Sequence, residues 1–305
     1  MRPPNVFASA DIDRASHRRF DDAWLAQARR SAEARVTLVW RTQNLVVRDD
    51  IPGPAQLEMA DLGSRLAGLG DGEATLVFLG EVSDRLLFSL DVSPLEDPIG
   101  ELDLGNAVEF QDLRQLGAIV EPEVGGVLAY ARAMGTWHRR HLHCGVCGAP
   151  TDSVHGGHLR RCSEPDCGNE IFPRTDPAVI MLIHDGDWGL LGRQPSWPRG
   201  VYSALAGFVE PGESLEDAVK REVFEEAGVR VDTATYHSSQ PWPFPTSLML
   251  GFHGTATRGE VYVDGHELEE ARWAHRDEIL NRELRLPPPL SIARRLIDDW
   301  LRGEA

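Results

Sequence analysis

The sequence contains no hydrophobic run of about 18 residues, the length at which a membrane-spanning helix becomes possible. The first 20 residues also lack the continuous apolar stretch of a secretory signal peptide. Neither an internal repeat of solenoid period nor a low-complexity tract occurs. These absences predict a cytoplasmic protein that has no membrane partner.

Basic residues are few compared with acidic ones. The chain has 31 lysines and arginines against 48 aspartates and glutamates, a formal charge of -17. Non-specific binding to nucleic acid or to an anionic membrane needs a basic surface, so this charge argues against both. An anionic substrate must then be received by metal ions or by a local group of arginines. Arg174, Arg193 and Arg199 lie near segments that we expect to form a pocket, and they are candidates for phosphate contacts.

The length and the strand patterns predict more than one domain. A single core rarely serves more than about 250 to 300 residues, and this chain has 305. Runs rich in β-branched residues at 35–47 and 75–92 predict strands, residues 51–72 predict a loop with a short helical pattern, and residues 122–139 predict a helix. These elements make up a predicted N-terminal α+β domain, residues 1–138. A second α/β pattern begins near residue 176 and continues toward the end of the chain.

Cysteine is scarce, and all four cysteines lie close together. Cys144 and Cys147 are followed after fourteen residues by Cys162 and Cys167, a spacing that can present four thiolates to one zinc ion. Two disulfides are the alternative, which a reducing cytosol disfavours. The neighbouring histidines are possible substitute ligands: His141, His143, His155 and His158. Four thiolates close the coordination shell, so the sequence predicts a structural zinc ribbon over residues 139–172.

A short predicted helix concentrates acidic residues. In GFVEPGESLEDAVKREVFEEAGV, residues 207 to 229, Ser214 and Asp217 form a helix-start capping box and Gly228 is a natural stop. The helix is therefore expected over residues 215–226. Its apolar stripe comprises Leu215, Ala218, Val219 and Val223.

Three glutamates lie beside that stripe. Glu222 and Glu226 point in nearly the same direction, with Glu225 at the edge. A solvated charged face is the alternative, but other charged residues of the helix already fill its outer side. Partly buried carboxylates either take up protons or bind cations, and oxygen ligands suit Mg²⁺ or Mn²⁺. The sequence therefore predicts a divalent metal site.

The spacing of this segment resembles the Nudix box at every position. The matching residues are Gly207, Glu213, Arg221, Glu222, Val223, Glu225, Glu226, Gly228 and Val229. The resemblance implies an α/β/α sandwich, predicted here over residues 173–305, that hydrolyses a nucleoside diphosphate linked to another group. It implies that Glu222, Glu225 and Glu226 bind the metal with the main-chain carbonyl of Ala206, while Arg221 and Glu213 brace the loop.

A second segment narrows the resemblance. SQPWPFPTS, residues 239 to 247, resembles the signature of the NADH pyrophosphatase branch of Nudix hydrolases, although prolines and aromatics also build rigid loops. The order of the N-terminal domain, the zinc ribbon, the box and a closing LPPPLSIARRLI also matches that branch. The resemblance implies NAD(H) as the substrate, a homodimer, and a pocket formed by Phe172, Phe208, Gln240, Pro241, Trp242, Pro243, Phe244, Pro245, Thr246, Ser247 and Ala293.

The same resemblance assigns chemical roles. Glu267 matches an acidic residue that completes the metal site, with Glu269 and Glu270 as rivals, and Glu226 is expected to orient or deprotonate the attacking water. The products would be AMP and nicotinamide mononucleotide, and the 5′ end of NAD-capped RNA is a further possible substrate. A broad-specificity dinucleotide hydrolase and a non-catalytic nucleotide-sensing regulator remain as alternatives.

Overall fold

The computed structural model describes residues 3–8, 11–63, 75–263, 265 and 267–305. The chain divides into two compact units. The first comprises Phe7–Thr175 and Pro243–Thr246, and the second comprises Met1–Val6, Asp176–Trp242 and Ser247–Ala305. Because the cysteine-rich residues and the N-terminal residues fall in one unit, the division into three domains stays a prediction. Within the described ranges, no helix has both the length and the apolar character that crossing a membrane requires.

The first unit is built on a six-stranded sheet. Its strands are β1 (Ala34–Trp40), β2 (Gln43–Val47), β3 (Leu57–Glu58), β4 (Leu76–Val82), β5 (Arg85–Asp91) and β6 (Val108–Asp112). They lie in the order β4-β5-β1-β2-β6, and β3 pairs with β1. Strands β1 and β5 are parallel, whereas β1 and β2 are antiparallel. The strands predicted at 35–47 and 75–92 are confirmed.

The helices of this unit are α1 (Asp22–Ala28), α2 (Met59–Gly63), α3 (Pro98–Glu101), α4 (Leu113–Leu116) and α5 (Pro122–Arg140). The helix predicted at 122–139 is confirmed, because α5 differs from it by one residue. Met134 and Trp137 of α5 pack with Val39 and Leu87 on one face of the sheet. The short helical pattern predicted within 51–72 corresponds in part to α2, while residues 64–72 lie outside the described residues.

The cysteine-rich part of this unit is a small antiparallel sheet of β7 (Thr151–Val154), β8 (Leu159–Cys162) and β9 (Glu170–Ile171). The buried Arg160 side chain supports it, because its Nε donates to Thr151 Oγ1 at 2.6 Å and its Nη1 lies 3.0 Å from His138 Nδ1. Burial lowers the pKa of His138 to about 3, so this histidine is neutral beside the arginine.

The second unit repeats the sheet design with longer strands. It contains β10 (Asp176–Asp185), β11 (Trp188–Arg193), β12 (Leu205–Phe208), β13 (Thr233–Trp242), β14 (Ser247–Thr255) and β15 (Glu270–His275). The order is β13-β14-β10-β11-β15, and β12 pairs with β10. Its helices are α6 (Leu215–Ala227), α7 (Arg276–Leu280) and α8 (Ile292–Leu301).

Alternate side chains of β10 bury against different helices. Val179, Met181 and Ile183 join the core that contains α6, whereas Ile180 and Leu182 join the core that contains α8. Since successive strand residues point to opposite faces, the sheet lies between two helical layers. The predicted α/β/α sandwich is confirmed.

Candidate active site

Local capping sets the bounds of helix α6. Ser214 Oγ accepts a hydrogen bond from the main-chain N–H of Asp217, and Gly228 ends the helix with a φ of 67°, in the left-handed region that favours glycine. The helix predicted at 215–226 is therefore confirmed to within one residue. Glu222 and Glu226 are buried, whereas Glu225 is exposed.

Arg221 holds the acidic side chains and the preceding loop together. Its Nε donates to Glu213 at 2.6 Å, and its Nη1 donates to Glu222 at 2.8 Å and to Glu225 at 2.9 Å. Its Nη2 donates to the carbonyl of Phe208 at 2.8 Å. These bonds from Arg221 lower the pKa of Glu213 to about 2 and raise the pKa of Arg221. The loop is therefore braced by one guanidinium, as the box pattern implied.

Glu222 approaches the main chain of Gly207 very closely. A Cβ atom at position 207 would lie 1.9 Å from the Glu222 carboxyl carbon, so any side chain there would displace the carboxylate. Burial raises the pKa of Glu222, an effect opposed by Arg221 and reinforced by the negative charges of Glu225 and Glu267. The glycine is therefore required by the position of the carboxylate.

A wide acidic cleft of about 1120 Å³ lies beside α6. Its walls carry the three box glutamates, Glu267, Glu210, Ala206 and Phe208, and the loop after β11 closes one side. The two rivals of Glu267 have other partners: Glu269 pairs with Arg193, and Glu270 accepts a hydrogen bond from the Tyr202 hydroxyl at 2.7 Å. The structure therefore brings Glu267, and neither rival, into the cleft with the box.

The donors in this cleft fit a hard divalent cation. They are carboxylate oxygens and a main-chain carbonyl in a space wide enough for water, the environment that Mg²⁺ and Mn²⁺ prefer. Glu222 and Glu225 are turned toward Arg221, so the carboxylate oxygens of the cleft do not converge on one point. Across the described residues, the four cysteines are the one group whose ligand atoms lie close enough together for a closed metal shell. The acidic site would therefore take its final geometry with the metal.

A smaller cavity of about 170 Å³, which we call the inner cavity, adjoins the acidic cleft. The two spaces share five lining residues: Gln194, Ala206, Glu226, Met249 and Leu268. Trp197, Trp242 and Ala293 add apolar surface to the inner cavity. Glu226 thus lies where an acidic space meets one lined by aromatic, aliphatic and uncharged polar side chains.

The predicted pocket residues are only partly brought together. Gln240, Trp242 and Ala293 line the inner cavity, and Phe208 and Ser247 line the acidic cleft. For the other predicted pocket residues, contact with a substrate stays a prediction, because in the described part of the chain they line neither space: Phe172, Pro241, Pro243, Phe244, Pro245 and Thr246.

Four residues of the proline-rich segment, Pro243–Thr246, belong to the first unit. The Pro243 carbonyl accepts a hydrogen bond from Arg132 Nε at 2.9 Å. The guanidinium groups of Arg114 and Arg132 lie 4.1 and 4.8 Å from the centre of the Phe244 ring. Phe172, also in the first unit, is 63% exposed and therefore has surface available for stacking.

Two of the three arginines predicted as candidates for phosphate contact are exposed, and the third is buried in an ion pair. Arg174 and Arg199 are exposed. Arg193 is buried, pairs with Glu269, and donates to the carbonyl of Trp197 at 3.0 Å. It therefore fastens the segment that carries Glu267 to the loop that closes the cleft. Sequence reasoning missed this role, and it also missed Glu210, Trp197 and Met249 as lining residues, because no local spacing marks them.

The four cysteines fit one zinc ion. Their sulfur atoms all lie within 4.8 Å of one another, with Cys144 3.8 Å from Cys167 and Cys147 3.4 Å from Cys162. A tetrahedron with Zn–S bonds of about 2.3 Å has S–S edges of about 3.8 Å. Main-chain N–H groups of Cys147 and Val146 lower the pKa of the Cys144 thiol to about 6, whereas burial and contacts with the other thiols raise the pKa of Cys162 and Cys167.

The alternatives for this cluster are not borne out. All four cysteines are free thiols. Among the described residues, no histidine joins the convergent group. His141 instead contacts the Trp137 carbonyl at 2.7 Å, and His158 contacts the Phe78 carbonyl at 2.8 Å.

Three family models match the chain in succession. Residues 33–137 match a NADH pyrophosphatase-like rudimentary NUDIX domain, residues 139–172 match a NADH pyrophosphatase zinc ribbon domain, and residues 174–298 match a NUDIX domain. Together these matches cover most of the chain.

Named proteins are similar over much of their length. NAD-capped RNA hydrolase NUDT12 of Macaca fascicularis is 36% identical over 342 residues, covering 98% of this chain and 73% of that protein. NAD-capped RNA hydrolase NudC of Stutzerimonas stutzeri is 42% identical over 246 residues, covering 81% of this chain and 80% of the relative. A NUDIX hydrolase crystal structure from Nitrosomonas europaea matches with a TM-score of 0.44 and 22% identity, covering 53% of this chain and 93% of that one.

Proposed function

The chain belongs to the Nudix hydrolase family, in its NADH pyrophosphatase branch, and from this premise we propose that it hydrolyses the diphosphate of NAD(H) to AMP and nicotinamide mononucleotide. Water adds across the P–O–P bridge: the attacked phosphorus gains the water oxygen, and the bridging oxygen leaves with the other phosphate. The observation that carries the proposal is the position of Glu226, which lines both the acidic cleft and the inner cavity.

The acidic cleft would supply the metal ligands. Glu222, Glu225, Glu226 and Glu267 would hold Mg²⁺ or Mn²⁺, together with the carbonyl of Ala206. When bound, such ions neutralise diphosphate charge and lower the pKa of a coordinated water. This cation charge also accounts for how a chain with a formal charge of -17 receives an anionic substrate.

Glu226 is the candidate general base. Its carboxylate would orient the attacking water and accept its proton, a role that needs a buried, fixed carboxylate close to the diphosphate. Arg221 would act as a positioning residue, because it holds Glu222 and Glu225 through direct hydrogen bonds and anchors the loop through Glu213.

The inner cavity would take one ring of the dinucleotide. Trp242 supplies a flat aromatic surface and Ala293 a small apolar one, and Phe208 at the cleft is 60% exposed and therefore able to stack on a ring. The same chemistry would remove the NAD cap from an RNA 5′ end, a function named for both curated relatives. The zinc ribbon would hold its ion structurally. A homodimer and a cytoplasmic location stay predictions.

The test is hydrolysis of NADH, NAD⁺, ADP-ribose and a 5′ NAD-capped RNA with Mg²⁺ or Mn²⁺, with the products separated by chromatography. We expect AMP and reduced nicotinamide mononucleotide from NADH. Glu226→Gln should lower kcat by about 10²- to 10⁴-fold, the range for loss of a general base. Glu216→Gln, which changes an exposed acid on the same helix outside the cleft, should leave kcat near the wild-type value.

Each alternative has a distinct outcome in this assay. Equal turnover of many dinucleotides would support the broad-specificity hydrolase, and cleavage of ADP-ribose alone would remove the NAD(H) assignment. Binding of a nucleotide without turnover would support the sensing regulator. A Glu226→Gln variant with near-normal kcat would remove Glu226 from the role of base.

A further inference from the structure

The side chain of Gln240 is completely buried, and its amide bonds only to main-chain groups. Its Nε2 donates to the carbonyls of Leu290 at 2.8 Å and Val6 at 3.0 Å, and its Oε1 accepts from the N–H of Ile292 at 2.9 Å. Both amide hydrogens are therefore used, and the surrounding groups fix the orientation of the amide. Although Gln240 lines the inner cavity, it has no N–H left to donate to a ligand.

Asn5 joins the same three segments a second time. Its Nδ2 donates to Ser238 Oγ at 3.0 Å and to the carbonyl of Ser239 at 2.8 Å, both in β13. Its Oδ1 accepts from Arg295 Nη1 at 2.9 Å, in α8. Asn5 is 6% exposed. We refer to Asn5 and Gln240, with these bonds, as the amide clamp.

The amide clamp connects the walls of the inner cavity. Trp242 follows Gln240 by two residues on β13, and Ile292 and Ala293 form the first turn of α8, whose first N–H the clamp binds. A buried amide that loses its partners leaves main-chain carbonyls unsatisfied, which costs more than the net value of the bond. The walls would therefore shift if the clamp were broken.

The geometry points to Asn5 and Gln240 as positioning residues for substrate binding: they set the shape of the inner cavity from behind its walls. This assignment replaces the ligand-contacting role expected for the Gln240 side chain. It also makes the N-terminal residues 3–6 part of the nucleotide-binding unit, although 233 positions separate Asn5 from Ser238. The identity of the ligand used to test it rests on the proposed function.

The first measurement is the Kd of NAD⁺, determined by calorimetry with Mg²⁺ present and in the Glu226→Gln background, in which turnover is slowed. Asn5→Asp keeps the side-chain size and the acceptor for Arg295 but loses the two donated bonds. Gln240→Glu likewise keeps the acceptor for the Ile292 N–H and loses the two bonds that Gln240 donates. Each should raise Kd by about tenfold, a typical cost of losing buried hydrogen bonds. With Glu226 intact, the kcat of each variant should fall by less than its Kd rises. Pro4→Ala, at an exposed neighbour of Asn5, should keep the wild-type Kd.

The second measurement is hydrogen exchange, which needs no substrate. Asn5→Ala should speed exchange in the peptides that contain Ser238–Trp242 and Leu290–Ala293 and leave the β15 region unchanged. The positioning role would be overturned if exchange became faster in both peptides while Asn5→Asp and Gln240→Glu kept the wild-type Kd. Unchanged exchange in Asn5→Ala would overturn it as well. If NAD⁺ fails to bind in the presence of Mg²⁺ and the wild-type protein does not hydrolyse NADH, while exchange changes as expected, the proposed function fails and the clamp stands as a support of the cavity.

Discussion

The strands of the first unit lie in the order β4-β5-β1-β2-β6, and those of the second lie in the order β13-β14-β10-β11-β15. In each sheet the central strand has one parallel neighbour, β5 or β14, and two antiparallel neighbours, of which β3 or β12 is the short one. Each sheet is followed along the chain by a short helix and then a longer one. The chain therefore contains the same topology twice.

The two units differ at the loop after the short strand. In the second unit, residues 209–214 separate β12 from α6, and this loop carries Glu213 and leads into the acidic helix. In the first unit, α2 begins at Met59, directly after β3 ends at Glu58. The one acid in the described residues of α2 is Asp61, which is exposed. The comparison teaches that the shared topology does not by itself create an acidic site. In the second unit the site comes from the loop after β12 and from helix α6.

Zinc removal should have the largest effect on stability, and it should reduce exchange protection in the first unit only. Structural zinc contributes about 10 to 16 kcal/mol of apparent binding free energy in zinc-finger peptides, so a strong chelator should abolish exchange protection at residues 144–167. Protection of β10 and α6 should persist. Adding back Mg²⁺ alone should not restore the ribbon, whereas Zn²⁺ should. Loss of protection throughout the second unit would contradict this separation.

Gly207→Ala should have the next largest effect. A Cβ 1.9 Å from the Glu222 carboxyl carbon displaces that carboxylate, and we expect kcat for NADH to fall by about 100-fold, comparable to the loss of one well-placed catalytic contact. The matched control is Gly53→Ala in the first unit, where a new Cβ has no neighbour within 4 Å. Comparable losses of kcat in both variants would show that the effect does not come from the close approach of Glu222 to Gly207.

The smallest effect should be a pH dependence of stability that both units share. Burial lowers the pKa of His138 in the first unit to about 3 and of His253 in the second to about 4, from 6.5. Below pH 6.5 the unfolded chain binds protons that the folded chain does not, so this stability is complete above pH 6.5 and is lost as the pH falls toward about 4 for His253 and about 3 for His138. Each histidine contributes at most about 1.4 kcal/mol per pH unit.

Urea unfolding between pH 7 and pH 4.5 would measure that dependence. His253→Asn should reduce the slope of the free energy of unfolding against pH, and His138→Asn should reduce it through the first unit. An unchanged slope in either variant would mean that the corresponding histidine is protonated in the folded protein as readily as in the unfolded chain.

Features that depend on neighbours in the chain were predictable. The bounds of α6 follow from Ser214 and Gly228, and the convergence of the four thiolates follows from their spacing, because capping and knuckle geometry involve residues a few positions apart. The strands of the first unit were also predictable, but their shared topology with the second unit was not, since no repeat is visible in the sequence.

Features that depend on distant residues were not predictable from local spacing. Arg193 was one of three candidates for phosphate contact; in the structure it is buried and pairs with Glu269, which lies 76 residues away in the sequence. Pro243 and Phe244 were assigned to the pocket, and in the structure the Pro243 carbonyl bonds to Arg132 while the Phe244 ring lies beside Arg114 and Arg132. Side-chain composition indicated a rigid segment without indicating which surface it meets.

The sequence by itself determined the chemistry available to this protein: an acidic helix with caps, a glycine before it, and four thiolates at ligand spacing. These are local properties, set by helix periodicity and short-range sterics. Only the tertiary structure decided that Glu267 and neither rival enters the cleft, and that Asn5 and Gln240 support the cavity wall. Those choices depend on strand register and on which buried polar groups find partners, and both are properties of the assembled core.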